Sequence, residues 1–214
     1  MKKLLFIFVA VGLLISNLSA EGKKCKTKGP HIWGCVKEVN LNLKNERFII
    51  KRSGAKKITS LYESTNRGRV QPISLGKGIE TIGEIELIKY LQKAQNDDLI
   101  MLVDTRKPGW NARLTLPASV NMPYTDFDDL ENTESNLEDL GVVKKEDGTY
   151  NFSKAKTILV FCNGYWCGQT PAMVLHSKYA LRKLGYPANK IKYYRGGMQA
   201  WTSLGLTVVG DEAQ

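Results

Sequence analysis

The sequence predicts an α/β fold in which a mostly parallel sheet is covered by helices on both faces, preceded by a small β-rich module. Three observations lead there. Short apolar runs at residues 99–103 and 157–161 read as buried strands, and residues 190–194 as another strand. Segments with helical spacing of apolar residues separate them. Ahead of both lie strand-like runs broken by turn residues. At 214 residues and 43% hydrophobic content, the chain can hold one full domain and a smaller module, but not two large domains.

Taken in order, residues 1–20 read as a secretory signal peptide. Lys2 and Lys3 precede an apolar run over residues 4–15, and Ala20 offers a small residue for cleavage before Glu21. The run is shorter than the ~20 apolar residues that span a bilayer. The expectation is an exported, periplasmic protein whose mature chain has no membrane span. Disulfides persist in such a compartment, so Cys25 and Cys35 are expected to be bridged. A zinc site at Cys25, His31 and Cys35 is the competing use, with only three ligands at non-standard spacing.

Residues 21–75 form the basic β-rich module. They hold thirteen Lys and Arg against four Asp and Glu, a net +9, whereas residues 76–214 hold sixteen against seventeen, a net −1. Strands are expected at residues 36–43, 47–52 and 57–62, with turns at Lys44-Asn45 and Ser53-Gly54-Ala55. A basic meander can meet acidic lipid headgroups, an acidic partner protein or an anionic polysulfide, or it can be a solvated face. Nucleic acid is excluded as a partner by export and by the lack of interleaved surface aromatics.

Residues 76–214 carry the α/β pattern. Thr81-Ile82-Gly83-Glu84 reads as a capping box for a helix that runs to Gln95 with Ile85, Leu87, Ile88 and Leu91 on its apolar side. The next strand ends at Asp104, two residues before Arg106. The acidic stretch 126–140 reads as a solvated helical face, since it lacks the glycine and ligand order of a calcium loop. Asp147-Gly148 marks a turn before the central strand, and Gly196-Gly197 opens a closing helix with Trp201 in the core.

The most informative stretch is residues 162–171, where the buried strand 157–161 turns into a helix. Thr170 reads as its N-cap and Pro171 as its first residue, with apolar spacing continuing to Leu184 and Gly185 ending it. His176 is expected on its inward face and His31 in an exposed loop. The Cys162 sulfur should then sit over loop N–H groups from Asn163, Gly164, Tyr165, Trp166 and Gly168, near the positive end of a helix. Such a bowl is expected to depress the thiol pKa and hold an anion. Phosphate-ester hydrolysis, sulfur-atom transfer and thiol–disulfide exchange all use this geometry. A cysteine phosphatase needs an arginine six positions after its nucleophile, and that position is Gly168, with no arginine from Asn163 to Leu181.

Val103-Asp104-Thr105-Arg106, then residues 114–123, then the cysteine loop, then Tyr194-Arg195-Gly196-Gly197-Met198-Gln199-Ala200-Trp201 resemble, in order and spacing, the signatures of a single rhodanese domain over about residues 80–209. The resemblance implies a rhodanese-like parallel sheet over residues 76–214. It also implies a sulfurtransferase in which Cys162 takes sulfane sulfur from a polysulfide, thiosulfate or persulfidated protein and passes it to a thiol or cyanide. Asp104 and Arg106 would brace the fold and the loop, and no metal or organic cofactor is implied. Two departures stand out. Residues 114–119 hold no histidine where many members carry one, and Tyr165, Trp166 and Cys167 stand where active loops carry Arg or Lys. A rim of this kind suits a soft polysulfide chain or a protein cysteine better than a dianion. Cys167 could attack a Cys162 persulfide and close an internal disulfide, or it could simply pack in the loop. Thiol–disulfide exchange and non-catalytic sulfur binding are therefore the alternatives to sulfur transfer.

Overall fold

A computed structural model describes residues 25, 28–53, 59–62 and 68–213. The segment read as a signal peptide lies outside these residues. So do residues 57 and 58 of the third expected strand and Gly54-Ala55 of its turn.

Five parallel strands form the central sheet in the order β3 (Glu80–Thr81), β9 (Ile191–Tyr193), β8 (Thr157–Phe161), β4 (Ile100–Asp104) and β5 (Val120–Asn121). Strand alternation sorts the side chains of β8 onto two faces. Leu159 and Phe161 pack with α1 (Glu84–Ala94) and with Met198 and Trp201 of α6 (Gly197–Ser203). Ile158 and Val160 face α3 (Leu130–Asp139), Met173 and Val174 of a π turn over Ala172–His176, and Leu181 of α5 (Leu181–Leu184). Both faces are thus covered, the arrangement in which strands read as continuous apolar runs.

The N-terminal module supplies an antiparallel hairpin, β1 (Glu38–Leu43) with β2 (Glu46–Lys51), joined at Lys44-Asn45. Both turn residues have positive φ, 52° and 63°, as a two-residue turn matched to strand twist requires. Burial alternates along β1, and Val39, Leu41 and Leu43 enter the same core as Leu87, Leu91 and Trp201. Arg52 Nε donates to the Leu204 carbonyl and Ser53 N to Gly205, which fastens the end of the hairpin to the chain beyond α6. A disulfide joins Cys25 and Cys35. His31 beside it is half-buried rather than exposed, with its carbonyl accepting from Arg52.

Five further sequence expectations are corrected. Residues 59–62 form a turn, not a strand, because Tyr62 swings inward toward the central sheet. Helix α1 is capped at Gly83, where Glu86 Oε2 accepts from the Gly83 N–H at 3.1 Å, while Thr81 is drawn into β3 by pairing with Tyr193. The helix expected from 171 to 184 is broken into α4 (Gln169–Pro171), the π turn and α5. Gly168, not Thr170, is its N-cap. The break has a tertiary cause: Lys178 N donates to Asp128 Oδ1 and Tyr179 N to the Phe127 carbonyl, which pulls residues 177–180 out of helical geometry. The π turn shifts the side-chain phase, so His176 is exposed instead of inward. The acidic stretch does form α3, capped by Asp129, preceded by a 3-10 turn over Tyr124–Asp128. Among the described residues no helix is long and apolar enough to cross a membrane.

Because Leu41 is fully buried in a core shared with α1 and α6, Leu41→Ala is expected to lower stability by about 3 kcal/mol. Urea unfolding should show the hairpin and the α/β sheet melting in one shifted transition. A separate early transition of unchanged main midpoint would contradict a shared core.

Candidate active site

The site forms at the carboxyl ends of β4 and β8, where strands hand over to loops, the usual place for chemistry in an open α/β sheet. Strand β4 ends at Asp104, and the chain turns so that Arg106 lies back against it. Both side chains are fully buried. Arg106 grips the carboxylate with two parallel bonds, Nε to Oδ1 at 2.9 Å and Nη2 to Oδ2 at 2.6 Å. Its remaining donors reach the Leu114 carbonyl, the Tyr62 hydroxyl and Asn163 Oδ1. Asp104 also accepts from Arg106 N, Asn111 Nδ2 and Thr115 Oγ1. Burial alone would lower the Arg106 pKa, but the Asp104 hydrogen bonds and charge outweigh it and hold the value above its ordinary one. Pair and neighbours together satisfy the buried charges, without which such a pair would be costly.

Asn163 passes this order to the cysteine loop. Its Oδ1 accepts from Arg106 at 3.2 Å and from the Tyr62 hydroxyl at 3.1 Å. On the other side, Met198 N donates to the Cys162 carbonyl and Gln199 N to the Asn163 carbonyl, so the start of α6 clamps the loop backbone. Gly197 permits that approach: a Cβ there would lie 2.2 Å from the Cys162 carbonyl oxygen, and its φ is +54°. Thr105 Oγ1 donates to the Phe161 carbonyl and shares a 2.9 Å contact with Thr170 Oγ1, which fixes α4 beneath the loop.

Cys162 and Cys167 come together, close enough that each acts on the other's ionisation. Cys162 Sγ also lies 3.3 Å from the Cys167 carbonyl. Both are almost wholly buried, with 2% and 3% exposure. The sequence-based expectation that Cys162 carries a depressed pKa is corrected. Burial pushes the Cys162 thiol well up, and its neighbour Cys167 pushes it further, against the help of the Thr170 hydroxyl and N–H. Cys167 is the thiol that is lowered, to about 7, chiefly because Cys162 donates to it. Burial opposes this, while the N–H groups of Gln169 and Asn163 and the charge of Arg106 assist. The backbone groups that favour the two thiolates are those of Thr170 for Cys162 and of Gln169 and Asn163 for Cys167. The Cys167 N–H closes a turn onto Gly164.

The remaining loop residues shape the site. Gly164 is buried against Gln199 and leaves no room for a Cβ, with 2.8 Å to Gln199 Oε1. Gly168 starts α4. Tyr165 is exposed, and the Arg195 guanidinium lies 5.1 Å from its ring centre. Trp166 is half-buried and offers its carbonyl to Gln71. Gln71 belongs to a strap over residues 68–73 that crosses the loop. Its N–H donates to the Tyr165 carbonyl at 2.7 Å, and Arg195 donates to the Gln71 and Pro72 carbonyls. Val70 and Ile73 beside it are 65% and 74% exposed, and with Tyr165 they give this region an apolar rim. Sequence reasoning missed Tyr62 and Gln71, which carry no periodic signal. Arg195 stood in a quoted signature, but its reach onto the strap is a tertiary fact.

With this fold and cysteine loop described, comparison with known proteins defines the class. A family model of the rhodanese-like domain matches residues 87–204. The chain belongs to that family. No curated protein matches. Solved structures similar to it include a Bacillus halodurans protein, BH2092, at 21% identity, covering 63% of this chain and 79% of that one, with a TM-score of 0.44. A Saccharomyces cerevisiae homologue of single-domain rhodanese and the Cdc25 phosphatase catalytic domain is 18% identical over 62% of this chain and 86% of its own, TM-score 0.43. The polysulfide-sulfur transferase homodimer of Wolinella succinogenes is 19% identical over 64% and 82%, TM-score 0.41.

Two outcomes are expected of the site. Thiolate absorbance of the wild type should titrate near pH 7, and Cys162→Ala, which removes the donor to Cys167, should raise that midpoint by about one unit. A midpoint unmoved by the substitution would contradict the shared hydrogen bond. Arg195→Ala removes a cation–π contact and the grip on the strap. Together these are worth about 1–2 kcal/mol, so iodoacetamide should alkylate the cysteines on the order of tenfold faster.

Proposed function

We propose that the chain is an exported sulfurtransferase that carries sulfane sulfur on Cys162. The observation that carries this reading is the buried pair of free cysteines in the loop of a rhodanese-like domain, with Cys162 Sγ 3.3 Å from the Cys167 carbonyl. In the resting pair the proton sits on Cys162 and the lower-pKa sulfur is Cys167. Transfer of the Cys162 proton to Cys167 makes Cys162 the thiolate and Cys167 the thiol. The Cys162 thiolate then attacks the outer sulfur of a polysulfide, thiosulfate or protein persulfide. The donor's S–S bond breaks, the shortened donor leaves with the electron pair, and Cys162 holds a persulfide anion. An acceptor thiol or cyanide removes the outer sulfur and restores the thiolate. The N–H groups of Asn163, Gln169 and Thr170 steady the anionic states. Tyr165, Val70 and Ile73 favour a soft polysulfide or a protein thiol as the partner at the rim. The Cys25–Cys35 disulfide suits an oxidising compartment such as the periplasm. We assign the strongly basic N-terminal module to contact with an acidic partner.

The same pair favours a second reading, thiol–disulfide exchange. Here the Cys167 thiolate attacks the inner sulfur of the Cys162 persulfide, hydrosulfide leaves, and an internal disulfide remains; two electrons pass from the dithiol to the sulfane sulfur.

Intact-mass measurement after polysulfide exposure separates these readings. Sulfur transfer predicts one reductant-sensitive sulfur atom on wild type and on Cys167→Ser, and none on Cys162→Ser. Exchange predicts loss of two hydrogens in wild type and an added sulfur only when Cys167 is replaced. No change in any of the three proteins would sink both and leave a non-catalytic binding module.

A further inference from the structure

Four tyrosines are buried among the described residues: Tyr62, Tyr186, Tyr193 and Tyr194. Three of their hydroxyls have partners. Tyr62 bonds Asn163, Tyr186 donates to the Lys156 carbonyl at 2.6 Å, and Tyr194 donates to Glu84 at 2.8 Å. The Tyr193 hydroxyl is enclosed and has no hydrogen-bond partner. An unpaired buried hydroxyl costs about 1–3 kcal/mol, a cost that phenylalanine would avoid at the same position.

Its place in the sheet puts Tyr193 at the same end of the sheet as the cysteines. Tyr193 ends β9 and pairs laterally with Val160 of β8, and both pack on the same sheet face. Val160 lies two residues before Cys162, so strand alternation carries Cys162 toward that face as the strand ends. The hydroxyl is thus held at the carboxyl end of the sheet, on the side where α4 and the sulfur pair lie. Burial pushes the Tyr193 pKa up, and the charges of Cys162 and Cys167 add to this while Arg195 opposes it. The phenol stays protonated, a donor and not a base. In the resting pair the two sulfurs already have partners in each other, in Thr170 and in the N–H groups of Asn163 and Gln169. One additional sulfur atom extends Cys162 by about 2 Å and brings a terminal negative charge that has none of these partners.

We propose that the Tyr193 hydroxyl is a sulfur-binding catalytic group that donates a hydrogen bond to the outer sulfur of the Cys162 persulfide. The inference rests on the sulfur-transfer reading and adds the residue that receives the transferred atom. Tyr193 moves no proton and takes part in no bond change; it stabilises the persulfide anion after the donor's S–S bond has broken. A charge-assisted bond of this kind is stronger than a neutral one.

The test compares wild type and Tyr193→Phe, using inorganic polysulfide as the probe. Melting temperature should be equal or higher in the variant, because an unpaired hydroxyl has been removed. The fraction of Cys162 carrying sulfur at limiting polysulfide, read by intact mass, should fall on the order of tenfold, matching a loss of about 1.4 kcal/mol. A tyrosine ultraviolet difference signal should accompany sulfur loading in wild type and be missing from the variant. Equal loading and an equal difference signal in two folded proteins would overturn the inference while leaving sulfur transfer intact. Wild type that never takes up sulfur would instead overturn the sulfur-transfer reading, and this inference with it. Should the variant melt early, the tyrosine signal in wild type alone decides: its absence on a loaded protein refutes the hydrogen bond.

Discussion

Everything at the site depends on the burial of one guanidinium. Arg106 is fully enclosed, and an isolated buried cation would cost several kcal/mol. It is tolerated because five contacts reach it from four parts of the chain: twice from Asp104, and once each from Leu114, Tyr62 and Asn163. Each partner is constrained in return. Asn163 can satisfy the arginine only if the cysteine loop holds its position, and Tyr62 only if the N-terminal module is folded onto the sheet. The basic module is therefore built into the site, despite its separate composition and its opposite charge balance. A planar fork with fixed donor directions makes this possible, whereas a lysine would supply a single point of charge.

The second constraint is desolvation. A loop rich in N–H groups beside a helix start favours a thiolate, and the sequence makes Cys162 its natural seat. Enclosure reverses that preference: at 2% exposure the loss of water outweighs the nearby donors, and the proton stays on Cys162. Cys167 is the thiol that is lowered instead, with Cys162, the backbone groups of Gln169 and Asn163 and the Arg106 charge in its favour. A second cysteine in the loop thus does more than fill space, since it lets a buried thiol be paired with an anion without a histidine nearby.

How far the sequence disclosed this architecture follows from the range of the interactions involved. Strands 157–161 and 99–103 were legible because burial on both faces leaves an uninterrupted apolar run, and the turn at Lys44-Asn45 because its residues tolerate positive φ. The meeting of Cys162 with Cys167, five residues apart in one tight loop, was legible for the same local reason. Long-range hydrogen bonds were not. Asp128 and the Phe127 carbonyl break the helix after His176 and turn that histidine outward, though the apolar spacing across the break is unaltered. Pairing of Thr81 with Tyr193 displaces the expected N-cap by two residues. Tyr62 reads as a strand residue by composition and becomes a buried hydroxyl only through partners 44 and 101 positions away.

The strap ties the N-terminal module to the cysteine loop at a second point. Arg195 donates from Nε and Nη2 to the Gln71 and Pro72 carbonyls, and its face lies against Tyr165. The strap is held largely through backbone groups, and these can be rehydrated when it lifts, so opening costs far less than exposing a core residue. One guanidinium thus joins the strap, through its carbonyls, to the aromatic rim of the loop, and loss of Arg195 would loosen both together.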